Sequence, residues 1–199
     1  HIQSCRKGYP VLKMTVLPSV LVSVGEKHMG VLHTLVTMKH KIAPVKLDEK
    51  LSAVLISKIG EIFSNAFTHG RTEIGVFCCG FINDSNQFTF SVYDAGVGIP
   101  YNVSQYLGSE ISPQDALKWA FEQGNSTLNG QLDYPRGAGL NLLESFVRVN
   151  GGRIELVSCG GYCRIENNQR EFSNLKSPFV GTMFSMTIVA DNNHIYRLK

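Results

Sequence analysis

Between residues 48 and 69 the chain sets Leu51, Leu55, Ile59, Ile62 and Ala66 at intervals of three and four. Ile56, Phe63 and Phe67 widen the same stripe. That period is one face of an α-helix, and a helix with a wide apolar face must bury it against a second layer. Asp48 stands where an N-cap belongs and Gly70 where a C′ residue belongs, so the spacing predicts a helix over 48–69. Two β-patterned runs follow, "TEIGVFCCGFI" and "QFTFSVYD", separated by "NDSN". That is the pattern of a β-hairpin, and it supplies the surface the helix needs.

The rest of the chain extends this plan. "VLKMTVLP", after Pro10, reads as a strand ended by Pro18, and the spacing over 19–42 predicts a helix within that span, broken at Pro44. From Pro100 to Gly137 the sequence is polar and glycine-rich, apart from "SPQDALKWAFEQ". There Ser112 has the chemistry of an N-cap and Pro113 suits the first helical position. A stretch of this length outside a sheet is expected to be a lid, a binding loop or disordered. "AGLNLLESFVRVN" predicts a helix closed by Gly151 and Gly152, "RIELVS" and "YCRIE" predict paired strands, and "GTMFSMTIVA" a last strand. Strands and helices do not alternate regularly. The expected class is therefore α+β, a two-layer α/β sandwich with one mixed sheet covered by helices on one face. The chain has 199 residues, 43% of them hydrophobic, which suits one domain with a sizeable core. The division expected within it is an N-terminal strand and helix over 1–47, a core over 48–190 and a lid over 101–136.

Charge and cysteine content exclude several classes. The formal net charge is +3, and no block of basic residues is present, so no nucleic-acid footprint is expected. Lys39-His40-Lys41 reads as a solvated helix end. No run of about 18 apolar residues occurs, so no membrane span is expected. "VLPSVLVSV" is too short to span, and it lacks the basic stretch and cleavage site of a signal peptide. A first residue His1 rather than Met is the start expected of a fragment. The five cysteines, Cys5, Cys78, Cys79, Cys159 and Cys163, form no disulfide framework of a secreted domain, and free thiols in the cytoplasm are expected. Cys159 and Cys163 could form half of a metal site, but a second pair is missing.

Four groups of residues carry chemistry. Glu61 and Asn65 lie four apart on one helix and point the same way, with His69 a turn further on. A carboxylate beside a carboxamide oxygen suits a divalent cation and a water, with Asn65 as ligand and Glu61 as general base. Taken alone, the pair also fits a solvated helix face. In "VYDAGVGIP", Asp94 ends a strand and Gly96 and Gly98 follow, which fits either a plain turn or a backbone lying flat against a ligand. In "RGAGLNLL", Gly137 and Gly139 precede a helix, whose N-terminal amides favour anions, and Arg136 adds positive charge. A glycine helix start explains the same residues. No Gly-Lys-Ser/Thr follows, so this is not a P-loop. Gly181-Thr182 opens the final strand and is uninformative alone.

Taken in order, these residues form E-x-x-x-N-A-x-x-H-G, then D-A-G-V-G-I-P, then R-G-A-G-L, then G-T in a strand. Together they resemble the GHKL ATPase superfamily, the ATP-binding domains of type II topoisomerases, a heat-shock chaperone, histidine kinases and a mismatch-repair protein. The resemblance runs from about Leu51 to Ile188. It implies a Bergerat-type sandwich that binds ATP and Mg²⁺. It implies Glu61 as the base, Asn65 as the Mg²⁺ ligand and Asp94 as acceptor from the adenine amino group. Gly96 and Gly98 would pass under the base. Arg136, Gly137, Gly139 and Leu140 would lie at the phosphates, and Thr182 would support the adenine contact. The N-terminal strand and "NAFTHG" look like the anti-sigma-factor serine kinases, which implies phosphorylation of Ser or Thr on a small regulatory partner protein and allows a homodimer. A nucleotide-gated binding module or slow ATPase is the first alternative. The catalytic domain of a sensor histidine kinase is the second, although His28, His33 and His40 lack the acidic neighbour and proline of a phosphoacceptor helix. The tail after the second glycine box is longer than a minimal anti-sigma kinase needs.

Overall fold

A computed structural model describes residues 15–16, 20–22, 46–122, 139–190 and 194–197, the first two stretches as backbone strands only. In chain order the elements are β1 (Thr15–Val16), β2 (Val20–Val22), α1 (Glu49–Gly70), β3 (Val76–Ile82), β4 (Gln87–Asp94), α2 (Gly98–Leu107), α3 (Pro113–Phe121), α4 (Gly139–Asn150), β5 (Arg153–Ser158), β6 (Gly161–Glu166), β7 (Gln169–Asn174) and β8 (Thr182–Val189). Six strands form an open sheet in the order β3-β4-β8-β5-β6-β7, and β1 and β2 both pair along the outer edge of β3. Every described strand pair is antiparallel. The expected mixed sheet is thus corrected: β4 and β5 run the same way, but β8 lies between them and antiparallel to both, so they form no parallel pair.

The turns explain the register. Asn83 accepts the N–H groups of Ser85 and Gln87 on its side-chain oxygen, at 3.0 and 2.9 Å, which closes the β3–β4 loop. Cys159-Gly160 and Asn167-Asn168 join β5 to β6 and β6 to β7, and all four residues have positive φ. A two-residue turn of that hand matches the twist of the strands it joins. β7 carries no apolar alternation, and only Phe172 packs inward, so its sequence gave no strand signal. An edge strand is held by backbone pairing and turn geometry more than by a buried face.

One face of the sheet is covered. Phe88, Phe90 and Val92 of β4, Ile154 and Leu156 of β5, Cys163 and Ile165 of β6, and Phe184, Met186 and Ile188 of β8 are buried in one cluster with Leu55, Ile59 and Phe63 of α1, Leu117 and Phe121 of α3, and Leu143 and Phe146 of α4. Each such side chain contributes on the order of 1.5–3 kcal/mol on leaving water. The other face is polar where β4 and β8 pair, and Phe77, Tyr93 and Phe179 stack near its end. Thr89 meets Thr187 at 2.9 Å, and Ser91 meets Ser185 at 2.7 Å. The result is an α+β arrangement of two layers, a sheet and its helices.

The two expected N-caps hold in detail. Asp48 caps α1 by accepting from the Leu51 N–H at 2.7 Å, and Ser112 caps α3 by accepting from the Asp115 N–H at 3.1 Å. Three expectations change. Val20–Val22 is a strand inside the span read as helical, while 23–45 lies outside the described residues. Up to residue 122 the stretch after Pro100 is mostly helical, because α2 begins at Gly98 and runs through Pro100, which is tolerated in a first helical turn, and α3 follows. Gly70 is the last helical residue, and the left-handed position after it belongs to Arg71, with φ 53°. The described part of the expected lid is packed, with Val103, Ala116, Leu117 and Phe121 buried. No described helix is long and apolar enough to cross a membrane.

Candidate functional site

The C-terminal end of α1, the end of β4, the start of α2, the end of β5 and the start of β8 meet in one knot. Asp94 is at its centre. It pairs with Val76 on one side and Thr182 on the other, and Thr182 pairs in turn with Ser158. Alternation along β4 turns Asp94 to the same face as Phe88, Phe90 and Val92, so its carboxylate is buried, with 3% of the residue exposed. The Gly96 N–H donates to Asp94 Oδ1 at 3.0 Å, and the Thr182 backbone N–H also bonds the carboxylate. Burial pushes its pKa from the ordinary 3.8 to about 6, against these two donors, which favour the ionised form. At neutral pH it is a buried, negatively charged acceptor.

Glycines surround this acid because no side chain fits. A Cβ on Gly70 would lie 2.7 Å from Asp94 Oδ1, so the bare Cα of the last helical residue is what lets α1 end against the carboxylate. This replaces the expected capping role of Gly70. A Cβ on Gly96 would lie 1.8 Å from the Gly70 carbonyl oxygen, which accepts from the Val97 N–H at 2.8 Å. Gly181, at φ +79°, runs as close to the backbone of Asp94. Gly98, at φ +80°, faces Ser158 and Cys159. Of the glycines read from sequence as room for a ligand, Gly96 therefore serves first to pack backbone on backbone, and Gly98 to clear the Ser158 and Cys159 side chains.

Two polar side chains absent from the sequence reading complete the knot. The Asn102 amide donates to the carbonyls of His69 and Gly98, at 2.9 and 3.0 Å, joining the end of α1 to the start of α2. Ser158, fully buried, accepts from the Ile99 N–H at 2.8 Å and lies 2.9 Å from Thr182 Oγ1. A lone Ser at a strand end and a lone Asn in a short helix carry no sequence signal. Only the register of β5 against β8 reveals the first.

Of the residues expected to form a site, Asp94, Gly96, Gly98 and Thr182 come together. Asn65 lies on α1 roughly 7 Å before Gly70 along the axis, and Glu61 roughly 13 Å before it. Asn65 is exposed, and Glu61 is ion-paired with Lys58 at 2.5 Å with its side chain 44% exposed. Gly139 is the first residue of α4, and Leu140 is half-buried against the core cluster. Glu144 fastens that helix to β7 by accepting from Arg170 at 2.6 and 2.8 Å, and it also accepts from Arg148. The two arginines hold its carboxyl below the usual range, against its burial. Arg136 and Gly137 lie outside the described residues.

Cys163 is buried in the core and its thiol is pushed up to about 12, chiefly by burial, while the Cys159 Sγ turns toward the Val97 carbonyl. The two do not assemble a site, and among the described residues no group of three or more His, Cys, Asp or Glu could hold a metal ion. No protein-family model matches the chain. Nor does any curated protein match it.

Proposed function

We propose that the chain is a nucleotide-binding domain of the GHKL, Bergerat-type class, which holds ATP with Mg²⁺ and acts as a regulatory serine/threonine kinase on a small partner protein. One observation carries the reading: a buried carboxylate at a strand end, walled by Gly70, Gly96 and Gly181 and facing the same side as Thr182. This acid accepts from the Gly96 and Thr182 N–H groups and has lone pairs left for a further donor, and the exocyclic amine of adenine is one. The donor set fits the base better than the metal. Asn65 offers one hard oxygen, so phosphate oxygens and waters would supply most of the Mg²⁺ shell, as that ion commonly requires. Gly139 and the first turn of α4 would offer amides to the phosphates.

Calorimetric titration with Mg-ATP tests the reading. Asp94→Asn should weaken binding by roughly ten- to a hundredfold, the effect of leaving a buried polar partner badly paired. Equal affinity in both forms overturns the assignment.

The Lys58–Glu61 pair favours a second reading, a nucleotide-gated binding module with little turnover, because the carboxylate is turned toward Lys58 on its own helix. Incubation with γ-labelled ATP and the products of adjacent genes separates the two. Label on a partner supports the kinase, and binding without label supports the module.

A further inference from the structure

Ser158, Thr182 and Asp94 form one row across β5, β8 and β4, each directly opposite the next. Residues so placed point to the same face, with Cβ atoms about 4.5–5.5 Å apart. Asp94 and Ser158 are buried, while Thr182 is only half-buried, so it is the member of the row that a ligand reaches beside the acid.

The hydrogen bonds around Ser158 constrain its proton. Its Oγ already accepts from the Ile99 N–H at 2.8 Å. Its own hydrogen has two acceptors in reach, Thr182 Oγ1 at 2.9 Å and the Gly181 carbonyl at 3.3 Å. The shorter contact is to Thr182. When Ser158 donates there, Thr182 Oγ1 accepts, and the Thr182 hydrogen must point elsewhere. A hydroxyl has one hydrogen and two lone pairs, so with one lone pair taken by Ser158 its hydrogen is left to donate to a different acceptor.

We propose that Ser158 is a positioning residue for base selection: it fixes the Thr182 hydroxyl as a donor beside Asp94, so the pair reads an amine together with an adjacent ring nitrogen that accepts. The inference rests on the nucleotide reading above. The competing explanation is that Ser158 only ties the start of α2 to β8.

Deaza analogues of ATP separate the two explanations, because they keep the amine and replace one ring nitrogen by C–H. The 199-residue chain is titrated with Mg-ATP and its 1-deaza and 7-deaza analogues, as wild type, Ser158→Ala, Thr182→Val and the double variant. Wild type should bind ATP about tenfold more tightly than one of the analogues, the effect of one hydrogen bond. Ser158→Ala should bring that ratio close to one, Thr182→Val should do the same, and the double variant should add nothing further. If Ser158→Ala lowers affinity for all three nucleotides equally, the residue is a structural tie and the proposal falls. Additive losses in the double variant, or no discrimination in wild type, overturn it too. If Ser158→Ala fails to fold, Ser158→Cys keeps the position filled with a much weaker donor and should also narrow the ratio; an unchanged ratio is decisive against. A wild type that binds none of the three removes the nucleotide reading itself, a result distinct from binding without discrimination.

Discussion

At the scale of single residues, Gly70 is the glycine of this site whose missing side chain leaves room for the Asp94 carboxylate itself. A methyl group at 70 would press on Asp94 Oδ1 and Cγ, at 2.7 and 2.9 Å. Gly70→Ala should destabilise the fold by about 1–3 kcal/mol, the usual effect of overpacking, read from urea denaturation. An unchanged midpoint would mean that the end of α1 is looser than drawn. Asp94 also makes stability depend on pH. Its folded pKa is raised from 3.8 to about 6, so the folded state binds the proton more tightly than the unfolded chain. The contribution is fully present below 3.8 and is lost as pH rises through about 6. The difference in stability between wild type and Asp94→Asn should therefore fall across that window, while other carboxylates cancel in the comparison. Affinity for ATP should run the other way, rising as Asp94 ionises. A flat difference would show that the acid is not held as its burial implies.

At the scale of elements, the sequence read α1, α3, the β3–β4 hairpin and β8 closely, because period and capping chemistry agree there. Asp48 and Ser112 hold the caps their residue types suggested. It misread α2, since Gly98, Pro100 and Asn102 look like loop residues. It missed β7, since an edge strand with one inward Phe172 has no periodicity to read. The packing of α3 narrows the lid expectation. Leu117 is fully buried, in a cluster that includes Phe121 and Ile165. Leu117→Ala should cost about 2–5 kcal/mol, measured by denaturation, as a cavity in a closed core does. A loss under about 1 kcal/mol would be the behaviour of a lid surface instead.

At the scale of the whole molecule, one apolar cluster joins α1, α3, α4 and the sheet, so these parts should unfold together. The chain has a single tryptophan, and Trp119 lies on α3 against Tyr106 of α2, with ring centroids 5.4 Å apart. Its fluorescence and the far-ultraviolet dichroism should report coincident urea transitions. An earlier fluorescence transition would make residues 101–121 a separately opening lid after all. By itself the sequence determined the layers, the helix faces, most strands and the identity of Asp94 as an acid at a strand end, because each follows from periodicity or from neighbours in the chain. Only the tertiary structure decided that the sheet is antiparallel throughout, that Gly70 exists for Asp94, and that Ser158 stands beside Thr182. Those facts depend on which strands lie side by side and how closely two backbones approach. Residues 24 apart, or the 98 between Thr89 and Thr187, leave no local pattern for such a meeting.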